Sequence, residues 1–341
     1  MFGGPGGGSR VTSWAEGVAD PRLLVTVDLS EGQARILEEE LAGVPWVGAS
    51  HAGPGPWPHV EAMFVGLLSR EMPQYEARLT PSLQFVQSLF TGLDRFPFSR
   101  FPAPVRIAGN GGGYAVPVAE HALMLILALA KNLLPDQRAI SRGERRRGPA
   151  SLLLRGKQAL LVGYGEIGRV LSPALRALGL RIVAVNRSGR GDDRVDMAIR
   201  PDRLIEELER SHVIVNLLPL TRETRGFFSE THFSRMRPDV LFVNVGRGAT
   251  VDAEALARHV RDHPGFHFAS DVWWDEREGH LGEIRGGLHI RDLEFGLGTP
   301  HDAGLADGSR DLAVRAAAQN LARYFRGEVP RFVARREDYL D

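Results

Sequence analysis

A chain of 341 residues exceeds what one small hydrophobic core needs and predicts two domains of ordinary size. Its 42 basic and 42 acidic residues cancel, so no global field draws it to nucleic acid or to an anionic membrane, and neither is expected as a partner. With no cysteine, disulfides, thiolate metal ligands and cysteine nucleophiles are excluded, and no metal site is expected. Only Lys131 and Lys157 are available to any chemistry that requires lysine. The glycine-rich opening MFGGPGGGSR lacks the apolar core of a signal peptide and reads as a disordered lead-in. The longest lipid-like run, ALMLILALA at 122–130, is far short of the roughly 20 residues a spanning helix needs, so a cytoplasmic location is expected.

In chain order, LLVTVD (23–28) predicts a first strand and EGQARILEEELAG (31–43) a helix ending at glycine. Short strands follow near 62–68 and 83–90, making a small α/β region. Proline and glycine then cluster through 96–114, a domain crossing. From Val118 to Leu134 the pattern is a helix apolar on nearly every face, which argues for burial between domains or subunits. SRGERRRGPA (141–150) reads as a solvated arm. Beyond it strands and helices alternate: QALLVGYG, a helix from Glu166, LRIVAVN, a helix at PDRLIEELERS, HVIVNLL, DVLFVNVG, a helix near DAEALARHV, and HFASDVWW. That alternation predicts a parallel sheet with helices on both faces. A last helix spans 309–328.

In ALLVGYGEIG, Gly163, Gly165 and Gly168 form G-x-G-x-x-G directly after an apolar strand and at the start of a helix. The strand before and the helix after are the context that a dinucleotide site requires. Gly163 allows the tight turn, Gly165 lets the backbone approach a pyrophosphate, and Gly168 permits close helix–strand packing. The helix start at Glu166 and Ile167 offers N–H groups to the anion. The next strand ends at Asn186, Arg187 and Ser188, where an NAD-specific site would place an acid. Asn186 removes the repulsion against a 2′-phosphate, and Arg187 with Ser188 would bind one, so NADP(H) is favoured with NAD(H) as the alternative.

Downstream, Arg247 sits between two glycines after the strand LFVNV, placed to hold a carboxylate with its planar fork. Asp271 and Glu276 follow in SDVWWDE. His301 stands in TPHDAG, one of 11 histidines and uninformative alone. In this order VPVAEHALML, VGYGEIG, NLLPLTRET, NVGRGATVDAEAL, SDVWWDE and TPH resemble the NAD(P)-dependent D-2-hydroxyacid dehydrogenases, a likeness that runs from about Val118 to His301.

The resemblance implies a Rossmann-type doubly wound sheet for the cofactor and a smaller flavodoxin-like α/β substrate domain. The substrate domain would be residues 1–113 plus 304–341 and the cofactor domain 114–303, with the cleft between them. It implies an oxidoreductase acting on a small-molecule 2-oxo or 2-hydroxy acid. Arg247 would bind the carboxylate, His301 would give or take the proton, and Glu276 would pair with His301 and favour its charged form. Asp271 would fix the nicotinamide carboxamide, Leu218 and Pro219 would line the adenine side, and the backbone N–H groups of Thr91 and Gly92 would bind the carboxylate. A homodimer is expected. The chain departs from the family pattern at Trp273 and Trp274, at Arg277 after Glu276, and at Asp302 after His301; Asp302 is expected to stabilise charged His301 further, and the two tryptophans to shield the cleft. Glu276 argues against a formate dehydrogenase, and the lack of a lysine near the substrate loop against phosphite oxidation. A dinucleotide-sensing corepressor would keep all three residues and differ only in turnover.

Overall fold

The computed structural model describes residues 20–49, 57–66, 81–146, 148–285 and 287–339; the glycine-rich opening lies outside them. The described residues form two compact units, one reaching Gly113 and including Arg310–Arg336, the other comprising Tyr114–Ser309 with residues 337–339.

The first unit carries a parallel sheet of β1 (Leu23–Val25), β2 (Trp46–Gly48), β3 (Ala62–Val65), β4 (Phe85–Ser88) and β5 (Arg106–Ala108), in the order β2-β1-β3-β4-β5. This is the flavodoxin-like doubly wound order. The three inner strands, β1, β3 and β4, are buried along their whole length, as short apolar runs covered on both faces must be. Helix α1 (Glu31–Leu41) begins in a capping box: the Gln33 N–H donates to Ser30 Oγ and the Ser30 N–H to Gln33 Oε1. It ends two residues before the predicted limit because Ala42 takes the left-handed conformation, φ 50°. The short edge strands β2 and β5 were not expected, and β5 lies inside the stretch read as a crossing.

The second unit is built on β6 (Gln158–Val162), β7 (Arg181–Val185), β8 (Met197–Ile199), β9 (Val213–Asn216), β10 (Leu241–Asn244), β11 (His267–Ser270) and β14 (Gly296–Gly298). They pair in parallel in the order β14-β11-β10-β9-β6-β7-β8. Numbered within the unit, this is the Rossmann order with a seventh strand added. A small hairpin, β12 (Glu283–Arg285) with β13 (Leu288–His289), precedes β14.

One face of this sheet is covered by α2 (Ala115–Ala130) and α4 (Glu166–Ala177), which bury Ala122, Leu125, Ile126, Leu171 and Leu175. The other face carries the core of Leu204, Phe228, Phe233, Phe242, Leu256 and Phe268 beneath α5 (Leu204–Leu208), α6 (Glu230–Phe233) and α7 (Ala253–Asp262). The expected helix from Val118 to Leu134 differs at both ends. Pro117 belongs to its first turn, where a missing N–H costs nothing. Asn132, at φ 53°, breaks it from a second helix, α3 (Leu133–Ser141). The last helix, α8 (Ser309–Phe325), ends two residues before Gly327. No single helix among the described residues is long and apolar enough to cross a membrane.

Candidate active site

The glycine loop joins β6 to α4, and its three glycines have different causes. At Gly163, φ is 97° and a Cβ would lie 2.8 Å from the backbone of Leu217 and Leu218; at Gly168 it would lie 2.7 Å from the Tyr164 ring. Both are therefore required by the protein's own packing. Gly165 is not: its φ is negative and its Cβ position faces open space, with only Gly163 O as near as 3.9 Å. It is also the N-cap of α4, and no side chain caps that helix. An exposed backbone with the helix dipole behind it, at the carboxyl end of the inner strand β6, is what a pyrophosphate needs, so these residues fit the dinucleotide. Beside the loop, burial and the hydrogen bond given to Asp192, 2.9 Å long, push the Tyr164 hydroxyl up to about 12.

The loop after β7 is shaped by Asn186. Its Oδ1 accepts from Ser188 N (3.1 Å), Ser188 Oγ (2.9 Å) and Gly189 N (2.8 Å), and its Nδ2 donates to Arg190 O. Arg187 extends outward, and its Nη1 lies 3.2 Å from Asp338 Oδ2. The loop after β9 holds Leu218, whose N–H donates to Asn216 Oδ1, and the exposed Pro219.

At the far side of the sheet, beyond β11 and β14, His301 Nδ1 stands 2.7 Å from Glu276 Oε1. His301 is in the left-handed region, φ 60°, a conformation a side chain tolerates only when its neighbours enforce it. The enforcing group is Asp271, 1% exposed. Its Oδ1 accepts from Thr299 Oγ1 (2.7 Å) and Asp302 N (3.1 Å), and its Oδ2 from Ala303 N (3.2 Å), so one carboxylate ties both sides of the histidine. The indole N–H of Trp273 donates to Thr299 O at 2.9 Å, and that of Trp274 to Val251 O at 2.7 Å. Trp273 is thus a buried brace for the histidine loop, and the paired tryptophans hold backbone in place.

His121, on α2, was not singled out in the sequence. Its Nε2 is 2.9 Å from Thr299 Oγ1 and 3.7 Å from Asp271 Oδ1. Thr299 has one hydroxyl hydrogen and gives it to Asp271, so His121 Nε2 carries the hydrogen between them. The Asp302 carboxylate belongs to this group: its nearest oxygen, a ring nitrogen of His121 and an Asp271 oxygen lie within 4.8 Å of one another. Such a cluster has the residue types of a cation site, but three N–H and O–H donors already point at Asp271.

Arg247 follows β10 and is partly buried. Asn244 Nδ2 and Thr250 Oγ1 donate to its carbonyl, and its own Nη1 donates to Gly246 O at 2.8 Å. The glycine after it is obligatory, because a Cβ on Gly248 would lie 2.3 Å from the Trp273 backbone. In the first unit, Thr91 lies in a bend after β4 and Gly92 follows it, with Thr91 Oγ1 donating to Asn110 O at 2.8 Å.

Comparison with known proteins gives this arrangement a family. A glyoxylate reductase of Pyrococcus furiosus is 24% identical over 330 residues, 93% of this chain and 96% of that protein. Among solved structures, a Pyrobaculum aerophilum chain provisionally described as a formate dehydrogenase is 30% identical, with a TM-score of 0.75 over 94% of this chain and 100% of that one. A D-isomer specific 2-hydroxyacid dehydrogenase of Xanthobacter autotrophicus Py2, in complex with NADPH and MES, shares the fold at 23% identity, with a TM-score of 0.75 over 93% of this chain and 98% of that one. Residues 123–303, more than half of the chain, match the family model for the NAD binding domain of D-isomer specific 2-hydroxyacid dehydrogenases, and the chain belongs to that family of nicotinamide-dependent enzymes.

Proposed function

We propose that the protein reduces a 2-oxo acid to the D-2-hydroxy acid, with NADP(H) preferred over NAD(H). The observation that carries this reading is the His301–Glu276 pair at 2.7 Å. With Nδ1 directed at a carboxylate, the ring's Nε2 is left to pass a proton to a carbonyl oxygen, and Glu276 stabilises the charged ring. A nicotinamide, when bound, would supply the hydride for the carbonyl carbon, and His301 gives the proton that completes the hydroxyl. Arg247 holds the substrate carboxylate and draws electron density from the adjacent carbonyl, while the N–H groups of Thr91 and Gly92 bind the same carboxylate.

Gly163, Gly165, Glu166, Ile167 and Gly168 carry the pyrophosphate, Leu218 and Pro219 border the adenine, and Arg187 with Ser188 takes a 2′-phosphate. Asp271 accepts from the nicotinamide carboxamide with whatever capacity its three internal bonds leave. The unit bearing β1–β5 is then the substrate domain and the other the cofactor domain. Formate oxidation is disfavoured by chemistry: hydride loss from formate yields carbon dioxide with no hydroxyl to protonate, so a histidine–carboxylate pair has no task there.

We also assign a homodimer. Met124, Leu127 and Leu133 line one concavity on α2 and α3, and Leu133, Ile140 and Leu153 are each more than half exposed, apolar side chains that association of two copies would cover.

The test is oxidation of NADPH and NADH by the purified protein across a panel of 2-oxo acids, with His301→Ala alongside. Turnover preferring NADPH and reduced about 10²- to 10⁴-fold in the variant is expected. Dinucleotide binding without turnover of any 2-oxo acid would instead favour a sensor.

A further inference from the structure

Arg187 is the cation that the proposed function assigns to a 2′-phosphate, and a second group already holds it. Asp338 lies in a 3-10 turn, Arg336–Asp338, far along the chain from the cofactor loops. Its carboxylate Oδ2 is 3.2 Å from Arg187 Nη1, and its side chain is only 12% exposed against 69% for the arginine. Its carbonyl accepts from Arg222 N at 2.9 Å. Arg222 belongs to the loop after β9, which is itself fixed: Thr224 Oγ1 accepts from Thr221 N at 2.8 Å and donates to Pro219 O at 2.5 Å. One residue therefore bridges the two loops that border the adenosine end, through its backbone on one side and its carboxylate on the other.

We propose that Asp338 is a specificity-determining residue of the dinucleotide site, an internal competitor for Arg187. The reading rests on Arg187 being the 2′-phosphate ligand. Asn186 stands at the end of β7, where an acid would otherwise accept from the ribose 2′-hydroxyl and repel a 2′-phosphate. Asp338 brings a carboxylate to the neighbouring residue from elsewhere in the chain. A phosphate bound by Arg187 must share or displace that carboxylate, and the two negative groups repel. A 2′-hydroxyl carries no charge and meets no such opposition. Asp338 thus narrows the preference for the phosphorylated cofactor without abolishing it, and the exposure of Arg187 keeps the ion pair weak enough to exchange.

The experiment measures binding of two cofactor fragments, 2′,5′-ADP and 5′-AMP, by calorimetry to the wild-type protein, Asp338→Asn and Arg187→Ala. Asn preserves the side-chain shape and leaves the bond between Arg222 N and the backbone carbonyl intact. For Asp338→Asn, 2′,5′-ADP is expected to bind about fivefold to tenfold more tightly, with 5′-AMP changed by less than about twofold, the scale of one partly screened charge pair. For Arg187→Ala, 2′,5′-ADP weakens by at least about fivefold and 5′-AMP does not. Equal changes for both fragments in Asp338→Asn, or no change, overturn the competitor role. If Arg187→Ala weakens 2′,5′-ADP selectively while Asp338→Asn has no effect, the assignment of Arg187 stands and only the proposal falls. If Arg187→Ala leaves 2′,5′-ADP unaffected, both fall.

Discussion

Asp271 illustrates how much of the geometry of His301 is set by a group other than its ring partner. His301 is held at φ 60° by three bonds to a buried carboxylate, and its own partner Glu276 then needs only to meet the ring. Replacing Asp271 with Asn puts an N–H donor where one of the three acceptor positions stood, leaving buried donors facing each other. A loss of about 2–3 kcal/mol in unfolding free energy, measured by urea denaturation, is expected. Glu276→Gln differs in kind: its side chain is 19% exposed, and the variant should keep the stability of the wild type while kcat/KM for 2-oxo acid reduction falls about 10- to 100-fold. An Asp271→Asn protein as stable as the wild type would show that the histidine loop does not depend on Asp271. At this scale the sequence was legible where a pattern is spelled by order along the chain: it singled out both Glu276 and His301, which the fold pairs at 2.7 Å. His121 was not singled out, because its partners Thr299 and Asp271 lie on elements remote in sequence and a helical histidine among apolar residues carries no local mark of them.

The glycine loop and α7 show what an element adds. Ala at Gly165 meets open space, so the fold should keep its stability while dinucleotide binding weakens by about tenfold or more through the new methyl group. Ala at Gly163 is forced to φ 97° against the Leu217–Leu218 backbone and should cost about 1–3 kcal/mol of stability from conformation alone. Fluorescence-monitored binding and thermal melts separate the two.

On α7, burial pushes the His259 imidazole down from 6.5 to about 4, helped by the neighbouring charge of His263, whose ring stacks at 4.3 Å. His232 and His267 are pushed down by burial as well. Because the unfolded chain binds these protons more readily than the folded one, stability rises with pH through the window from about 4 to 6.5 and is lost as the solution is acidified across it. Urea midpoints measured between pH 7 and pH 4 should fall, and His259→Leu should flatten that slope; an unchanged slope in the variant would remove His259 from the account.

Long buried strands such as β6 and β7 were readable because their apolar runs end at glycine or polar residues. The three-residue edge strands β2, β5, β8 and β14 were not, since a run that short is specified by its neighbour's unpaired backbone rather than by its own side chains. The helix expected from Val118 starts earlier, at Ala115, because a first turn accepts Pro117.

At the scale of the whole molecule, the remaining question is what covers the apolar face of α2 and α3. The sequence predicted a helix apolar all round, and the fold accounts for one side of it: Ala119, Ala122, Leu125, Ile126 and Leu129 pack into the core beside β10 and β11. The other side keeps Met124 43% exposed, Leu133 58% and Ile140 68%. Association of two copies through this face would be isologous, so each substitution enters the interface twice and its effect on the dimer is doubled in free energy. Leu133→Glu is the suited probe, because the side chain is exposed within the protomer and the change should leave the monomer's fold intact, as a far-ultraviolet spectrum would verify. Placing two carboxylates in a desolvated contact should raise the dimer dissociation constant by at least about 100-fold. Sedimentation at micromolar concentration should then show twice the chain mass for the wild type and the chain mass for the variant. A wild-type protein that sediments as a single chain at that concentration would refute the assignment, and a Leu133→Glu protein that remains dimeric would move the interface to another face.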